Sequence, residues 1–339
     1  MVRLSAEIPS LHDIELAEER VRKYFPPTPL ERSAGISELL GRETYLKLET
    51  ALPVRVFKIR GAINKLLTMP DSALKRGVLT ASSGNHGFAI AYAARLFGTK
   101  AVICVPENVN PQKLRAIEEQ GAEVIRHGRG YDEAFELALE TARKRGLTFV
   151  HAFNDRDVIA GQGTCGLEMA RQLPDLGSVV VAIGGGGLIS GVAIAVKESL
   201  PGSRVYGAET VAIPSMYESL RQGSPHRVVP GPTIADGMQA AVPGELTFEA
   251  VRRYVDRVGL VTDQELEDAV YELLTLGRVL AEPSGASPLA AVKGSLRGIP
   301  GEKLVLVVSG GNISVDLLRS ILTKRAQENP RGPAPSETG

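Results

Sequence analysis

Short β-branched runs alternate with longer amphipathic stretches through most of the chain. VLTASSGNHG (78–87) reads as a strand running into a tight turn, and HGFAIAYAARLFG (86–98) as a helix ended by Gly98. TKAVICVP is a second strand, and NPQKLRAIEEQG a helix with Asn110 as cap and Pro111 at its first position. AEVIRHG, YDEAFELALETARKRG and LTFVHAF continue the series to residue 153 as strand, helix and strand. From about residue 154 the alternation repeats on a larger scale. GQGTCGLEMARQL is helical, SVVVAI a strand, LISGVAIAVKESL a helix, SRVYGAE a strand and KLVLVVSGGN another. VVVAI and LVLVV show no polar alternation, as burial on both faces of a parallel sheet requires.

The pattern predicts an α/β protein of two lobes, each with a mostly parallel twisted sheet flanked by helices. Residues 78–153 form a small lobe set into a larger one made of 1–77 and 154–323. The polar end KRAQENPRGPAPSETG (324–339), rich in Pro and Gly, reads as a disordered tail. No repeat of solenoid length is present.

Composition narrows the function classes. Lys and Arg total 39 against 39 Asp and Glu, so the charge case for nucleic acid is missing. No apolar run approaches the roughly 18–20 residues of a membrane span. The opening MVRLSAEIPSLHDIELAEER lacks an apolar signal core and reads as a mature N-terminus. Two cysteines make no disulfide framework, and Cys104 in AVICVP reads as a buried thiol, which suits a reducing, cytoplasmic setting.

Four short constellations carry candidate chemistry. Phe57-Lys58-Ile59-Arg60-Gly61-Ala62 stands at the mouth of a helix. Lys58 reads either as a surface lysine reaching for water or as a nucleophile whose pKa burial and a helix N-terminus depress. Ser82-Ser83-Gly84-Asn85-His86-Gly87 joins a strand to a helix, richer in small polar residues than a cap needs. Its backbone amides can face an anion, a carboxylate being the better reading. Gly184-Gly185-Gly186-Gly187 between a strand and a helix suits a phosphate cradle. A dinucleotide fingerprint is the rival, with Glu209 where a ribose-binding acid would stand, but Ile189 or Ser190 occupies the third glycine position. Ser309-Gly310-Gly311-Asn312 follows the last strand, where a serine can meet a heterocycle nitrogen or merely mark a turn.

In this order the four motifs resemble the fold type II pyridoxal-phosphate enzymes, the tryptophan synthase β-like superfamily. Within it the chain is most similar to the serine/threonine dehydratases (ammonia-lyases) and serine racemases. Ala160-Gly161-Gln162-Gly163-Thr164, Ala235-Asp236-Gly237 and Glu282-Pro283-Ser284-Gly285 extend the likeness, which spans roughly residues 15–320. The resemblance implies that Lys58 holds the cofactor as a Schiff base and shuttles the Cα proton. It implies that Phe57 packs on the pyridine ring, Asn85 bonds its phenolic oxygen, Gly184 to Gly187 hold the phosphate, Ser309 meets the ring nitrogen and Glu282 lies near the ring. The Ser82, Ser83, Gly84, Asn85, His86 loop would take the substrate carboxylate.

A neutral hydroxyl at Ser309 leaves the ring nitrogen largely unprotonated, which favours prompt loss of a β-leaving group over a long-lived carbanion. The leading expectation is therefore an L-threonine/L-serine dehydratase giving a 2-keto acid and ammonia. The alternatives are a serine racemase or a 3-hydroxyaspartate dehydratase of the same family and, more distantly, a NAD-dependent dehydrogenase or a silent amino-acid-binding protein. Two departures bear on this. Ser83 stands where many threonine dehydratases have alanine and serine racemases have serine, which offers an acid–base group on the face of Cα opposite Lys58. Glu209 matches the glutamate of the racemases' divalent-cation site, but Ser215 replaces its aspartate, so a metal at Glu209 is doubtful. A homo-oligomer, dimer or tetramer, is expected. With no room after residue 325 for an appended regulatory domain, so are Michaelian kinetics without isoleucine feedback.

Overall fold

The computed structural model describes residues 7–82, 84–107, 109 and 111–328. Its ten strands are β1 (Leu30–Arg32), β2 (Thr44–Leu48), β3 (Val78–Ala81), β4 (Ala101–Val105), β5 (Glu123–Arg126), β6 (Thr148–Phe149), β7 (Ser178–Ala182), β8 (Arg204–Thr210), β9 (Arg257–Val261) and β10 (Leu304–Val308). They form a six-stranded sheet in the order β1-β2-β10-β7-β8-β9 and a four-stranded sheet in the order β5-β4-β3-β6. All pairings are parallel except β1 with β2. All five residues of β10 are buried, as are all five of β4 and all four of β3, and with Thr80 the one polar residue among them none of these runs alternates.

The order of the large sheet places β10 between β2 and β7, far from either in sequence. Val308 pairs with Leu48, and Leu306 with Val180. Three parallel strands therefore end side by side, delivering Glu49, Ser309 and Gly184 to one crevice at their carboxyl ends, where open α/β sheets bind ligands.

Helices that pack almost backbone to backbone stand behind this crevice. A Cβ at Gly191, in the Gly187–Ser199 helix, would lie 2.4 Å from both the Gly163 nitrogen and the Ile159 oxygen of the Arg156–Gln172 helix. A Cβ at Gly161 would lie 2.6 Å from the Gly61 Cα in the Lys58–Thr68 helix. The last of these helices bridges the two sheets. It begins beside β10, and its Ile59, Ile63 and Leu66 pack with Val78, Ile90 and Ile103 around the small sheet.

Two expectations about the chain's elements need correction or fall outside. The end expected to be a tail from 324 is helical as far as Glu328, because Lys324 pairs with Glu267 at 2.6 Å and Arg325 with Asp268 on the Asp263–Thr275 helix. Asn110, the expected cap of the Pro111–Glu118 helix, lies outside the described residues, as do residues 329–339.

The glycine contacts make a direct prediction. Gly191→Ala should lower stability by about 1–3 kcal/mol although alanine favours a helix by about 1 kcal/mol, because the methyl meets backbone that has nowhere to move. A urea midpoint equal to or above that of the parent would refute the close approach.

Candidate active site

The site grows from a backbone clasp. The Phe57 amide donates to the Ser309 carbonyl at 3.0 Å, Val56 bridges Gly310, and the Gly311 amide donates to the Arg55 carbonyl at 2.9 Å. On the other side the Glu282 amide donates to the Gly310 carbonyl at 3.0 Å. Residues distant in sequence are thereby fixed around the end of β10, with Lys58 as the first residue of its helix.

Phe57 and Lys58 are half-buried. The Lys58 Nζ donates to the Ala152 carbonyl at 3.0 Å and stands 5.0 Å from the centroid of the Phe57 ring. Burial pushes its pKa from the usual lysine value down to about 8, and Glu282 only partly opposes this. A useful fraction of free amine is therefore present near neutral pH.

Glu282 is buried, and its pKa is raised by that burial against bonds from Asn85 and from the Asn312 backbone. Asn85 Nδ2 donates to Glu282 at 2.8 Å and Asn85 Oδ1 accepts from Asn312 Nδ2 at 2.8 Å, tying the SSGNH loop to the loop after β10. Gly84 precedes the Asn85–Leu96 helix, and its amide donates to Ser82 Oγ at 3.3 Å. His86 turns inward, its Nε2 at 3.3 Å from the Val150 carbonyl, so only its backbone can serve an anion at the helix mouth. Ser83 lies outside the described residues.

The tetraglycine loop opens the Gly187–Ser199 helix, with Gly186 left-handed at φ 89°. Among the described residues no protein group accepts from the amides of Gly184, Gly185, Gly186 or Gly187. Thr247 Oγ1 donates to the Gly185 carbonyl at 2.7 Å, and the Phe153 ring lies where a Cβ on Gly185 would go, at 2.2 Å. The loop is thus gripped from behind while four donors at a helix N-terminus are left for an anion. Ser309 as a residue is 2% exposed, and its side chain follows directly on β10. An amine with a lowered pKa, four amides free at a helix N-terminus and a serine hydroxyl at the end of β10 fit what a pyridine aldehyde phosphate requires.

Glu209 stands apart from this set. Its carboxylate accepts from the Met216 and Tyr217 amides at 2.8 and 2.9 Å and lies 3.4 Å from Ser215 Oγ, at the start of the Ser215–Gln222 helix. Burial raises its pKa to about 8 against those bonds. Among the described residues no group of three or more His, Cys, Asp or Glu is placed to hold a metal ion.

Sequence reasoning passed over Phe153, His151 and Thr247, and read Asn312 only as part of the loop after the last strand. Phe153 and Thr247 meet the glycine loop from far along the chain, and only the strand LTFVHAF, ending at the crevice, hinted at Phe153 and His151. His151 Nδ1 accepts from the Phe153 and Asn154 amides at 3.2 and 3.0 Å, fixing the turn that presents Phe153 to the glycine loop. Burial lowers the pKa of His151 to about 4 and that of His86 to about 3, with Lys58 adding to both shifts.

That burial predicts a pH dependence. Between about pH 6.5 and 4 the unfolded chain protonates His151 and the folded chain does not, so stability falls as pH drops through this window, by at most about 3 kcal/mol. His151→Asn, which can keep an acceptor near Nδ1, should flatten that part of the urea-midpoint profile. An unchanged slope would contradict the assignment.

Comparison with known proteins gives the same direction. Residues 21–310 match the family model described as pyridoxal-phosphate dependent enzyme. The chain is 45% identical over 315 residues to an L-threonine ammonia-lyase of Thermotoga maritima, covering 93% of this chain and 78% of that one. It is 36% identical over 324 residues to the catabolic L-threonine dehydratase TdcB of Staphylococcus aureus, covering 94% and 93%. The solved structure of maize serine racemase superposes with a TM-score of 0.88 at 32% identity, covering 95% of this chain and 99% of that one. The chain belongs to the family of pyridoxal-phosphate dependent enzymes, in its fold type II serine/threonine dehydratase group.

Proposed function

We infer that the chain is a pyridoxal-phosphate dependent L-threonine ammonia-lyase that also accepts L-serine, converting each to a 2-keto acid and ammonia. The observation that carries this reading is the meeting of Lys58, Ser309 and the free amides of Gly184–Gly187 at the ends of adjacent strands, in a chain 45% identical to an L-threonine ammonia-lyase. When bound, pyridoxal phosphate supplies an electron sink for the charge left at Cα as its proton departs. Lys58 is the residue that attaches the cofactor, and its Nζ takes the Cα proton. Gly184–Gly187 hold the phosphate, Phe57 packs on the ring, and Ser309 offers a neutral hydroxyl to the ring nitrogen. The Ser82–His86 loop receives the substrate carboxylate. The N-terminus of the Asn85–Leu96 helix favours an anion there. Glu209 serves as the cap of its helix, so a divalent cation is not required at that position. A cytoplasmic homo-oligomer is the setting we assign.

A second reading, serine racemase, is favoured by the likeness to the maize enzyme and by Ser83. Lys58 can reach Cα from one face only, and racemisation needs a second acid–base group opposite it.

Two measurements test these readings. Lys58→Ala should abolish turnover, and borohydride reduction of the wild type should fix the cofactor to Lys58; a label on another lysine would overturn the assignment. Ser83→Ala should spare much of the L-serine and L-threonine dehydration while removing any D-serine formation or use. Equal loss of every activity would assign Ser83 to binding or folding instead.

A further inference from the structure

Directly behind Lys58 lies a cluster of buried charge that the proposed reaction does not use. Arg60 is fully buried, and its guanidinium is enclosed on every side. Its Nε donates to Glu49 Oε2 at 2.6 Å and its Nη2 to Glu49 Oε1 at 2.9 Å. Nη1 and Nη2 donate to Glu168 Oε1 and Oε2 at 2.7 and 2.9 Å. Thr164 and Thr28 hydroxyls take the remaining directions at 2.9 and 3.1 Å. Lys47, also fully buried, donates to Glu168 at 2.6 Å, to the Thr28 carbonyl at 2.9 Å and to Gln172 at 2.9 Å. Two cations thus meet two carboxylates, and the cluster is neutral.

The placement of the partners gives the cluster a meaning beyond stability. Glu49 immediately follows β2, whose Leu48 pairs with Val308, the residue before Ser309. Glu168 lies on the Arg156–Gln172 helix, which meets the helix of the glycine loop at Gly163 and Gly191. Arg60 lies two residues after Lys58, in the first turn of its helix. One guanidinium therefore ties the lysine's helix to the strand pair that presents the hydroxyl and to the helix layer that presents the phosphate amides. A buried ion cluster is weak evidence for stability, since apolar residues of similar volume often serve as well. A rigid bidentate fork does what apolar packing does poorly, which is to fix direction and register.

We propose that Arg60, gripped by Glu49 and Glu168, is a positioning residue that sets the direction of the Lys58 amine relative to Ser309 and the glycine loop. This rests on the assignment of Lys58 as the cofactor lysine. Displacement of a reacting group by about 1 Å can cost about a hundredfold in rate. Loss of the fork therefore acts on the chemical step more than on substrate binding.

The test compares three variants of the full chain. Arg60→Lys keeps the charge and loses the fork. Glu49→Gln keeps the shape and weakens one side of the grip. Lys47→Met disturbs the same cluster without removing any bond to Arg60. At a temperature where all three are folded, kcat should fall on the order of a hundredfold in Arg60→Lys, less in Glu49→Gln and least in Lys47→Met, with KM within about threefold of the parent. The rate at which cofactor-free protein takes up pyridoxal phosphate covalently, followed by its visible absorbance, should fall in the same order. Losses that track the melting temperatures of the three variants would overturn the proposal, as would parental kcat and uptake in folded Arg60→Lys. Should Arg60→Lys fail to fold, Glu49→Gln against Lys47→Met decides by the same criteria. Borohydride labelling of each variant keeps the two ideas apart. A label on Lys58 with unaltered uptake refutes positioning alone, whereas a label elsewhere in the parent refutes the lysine assignment.

Discussion

The constraint on which the site depends is the burial of Arg60 between Glu49 and Glu168. Burial alone would push its charge off, and burial alone would raise Glu168; each is held ionised by the other and, for Arg60, by Glu49 as well. Taking these groups from water costs several kcal/mol per ion, so every hydrogen bond in the cluster has to be made. That demand fixes three elements at once: the strand ending at Leu48, the helix beginning at Lys58 and the helix from Arg156 to Gln172. The backbone clasp of Phe57 on Ser309 then completes what the charges begin.

From this frame the rest of the crevice follows with little freedom. Parallel pairing of β2, β10 and β7 sets the heights at which Glu49, Ser309 and Gly184 leave the sheet. Glycines at 161, 166 and 191 let the helices behind approach to backbone contact, so the glycine loop cannot slide along its helix axis. Phe153 and Thr247 close the loop from behind. The Cβ direction of each of its four glycines is filled, and among the described residues no protein group accepts from its amides.

The sequence disclosed the parts of this arrangement whose chemistry is local. Fully apolar runs marked the buried parallel strands β7 and β10, β-branched runs marked β3 and β4, and glycine, serine and asparagine clusters at strand ends marked the loops that meet. It concealed the parts whose meaning lies in distant partners. TYLKL alternates as a strand with a wet face would, so Lys47 passes for a solvent-facing residue, although its partner is Glu168, 121 positions away. β1 and β9 are short and bounded by arginines, which blurs their period. Arg60 sat inside a motif already read, yet nothing nearby in sequence says which carboxylates receive it. Glu209 was legible as an acid at a strand end, but a nucleotide, a metal and a helix cap all ask for the same residue there, and its bonds to the Met216 and Tyr217 amides come from a helix the strand does not reveal.

The distribution of protons in the crevice follows from the same burial. His86 and His151 are pushed far enough down that both stay neutral near pH 7, so neither imidazole contributes a cation beside Lys58. Burial moves Lys58 and Glu282 in opposite senses, the first towards a neutral amine and the second towards a neutral acid. Their proton affinities are thereby drawn towards each other, which favours exchange of a proton at the lysine near neutral pH. Histidine, the usual residue for that task, is present twice and excluded twice. Under the proposed function proton transfer in this crevice falls to Lys58, and the direction of its amine decides what that lysine can reach.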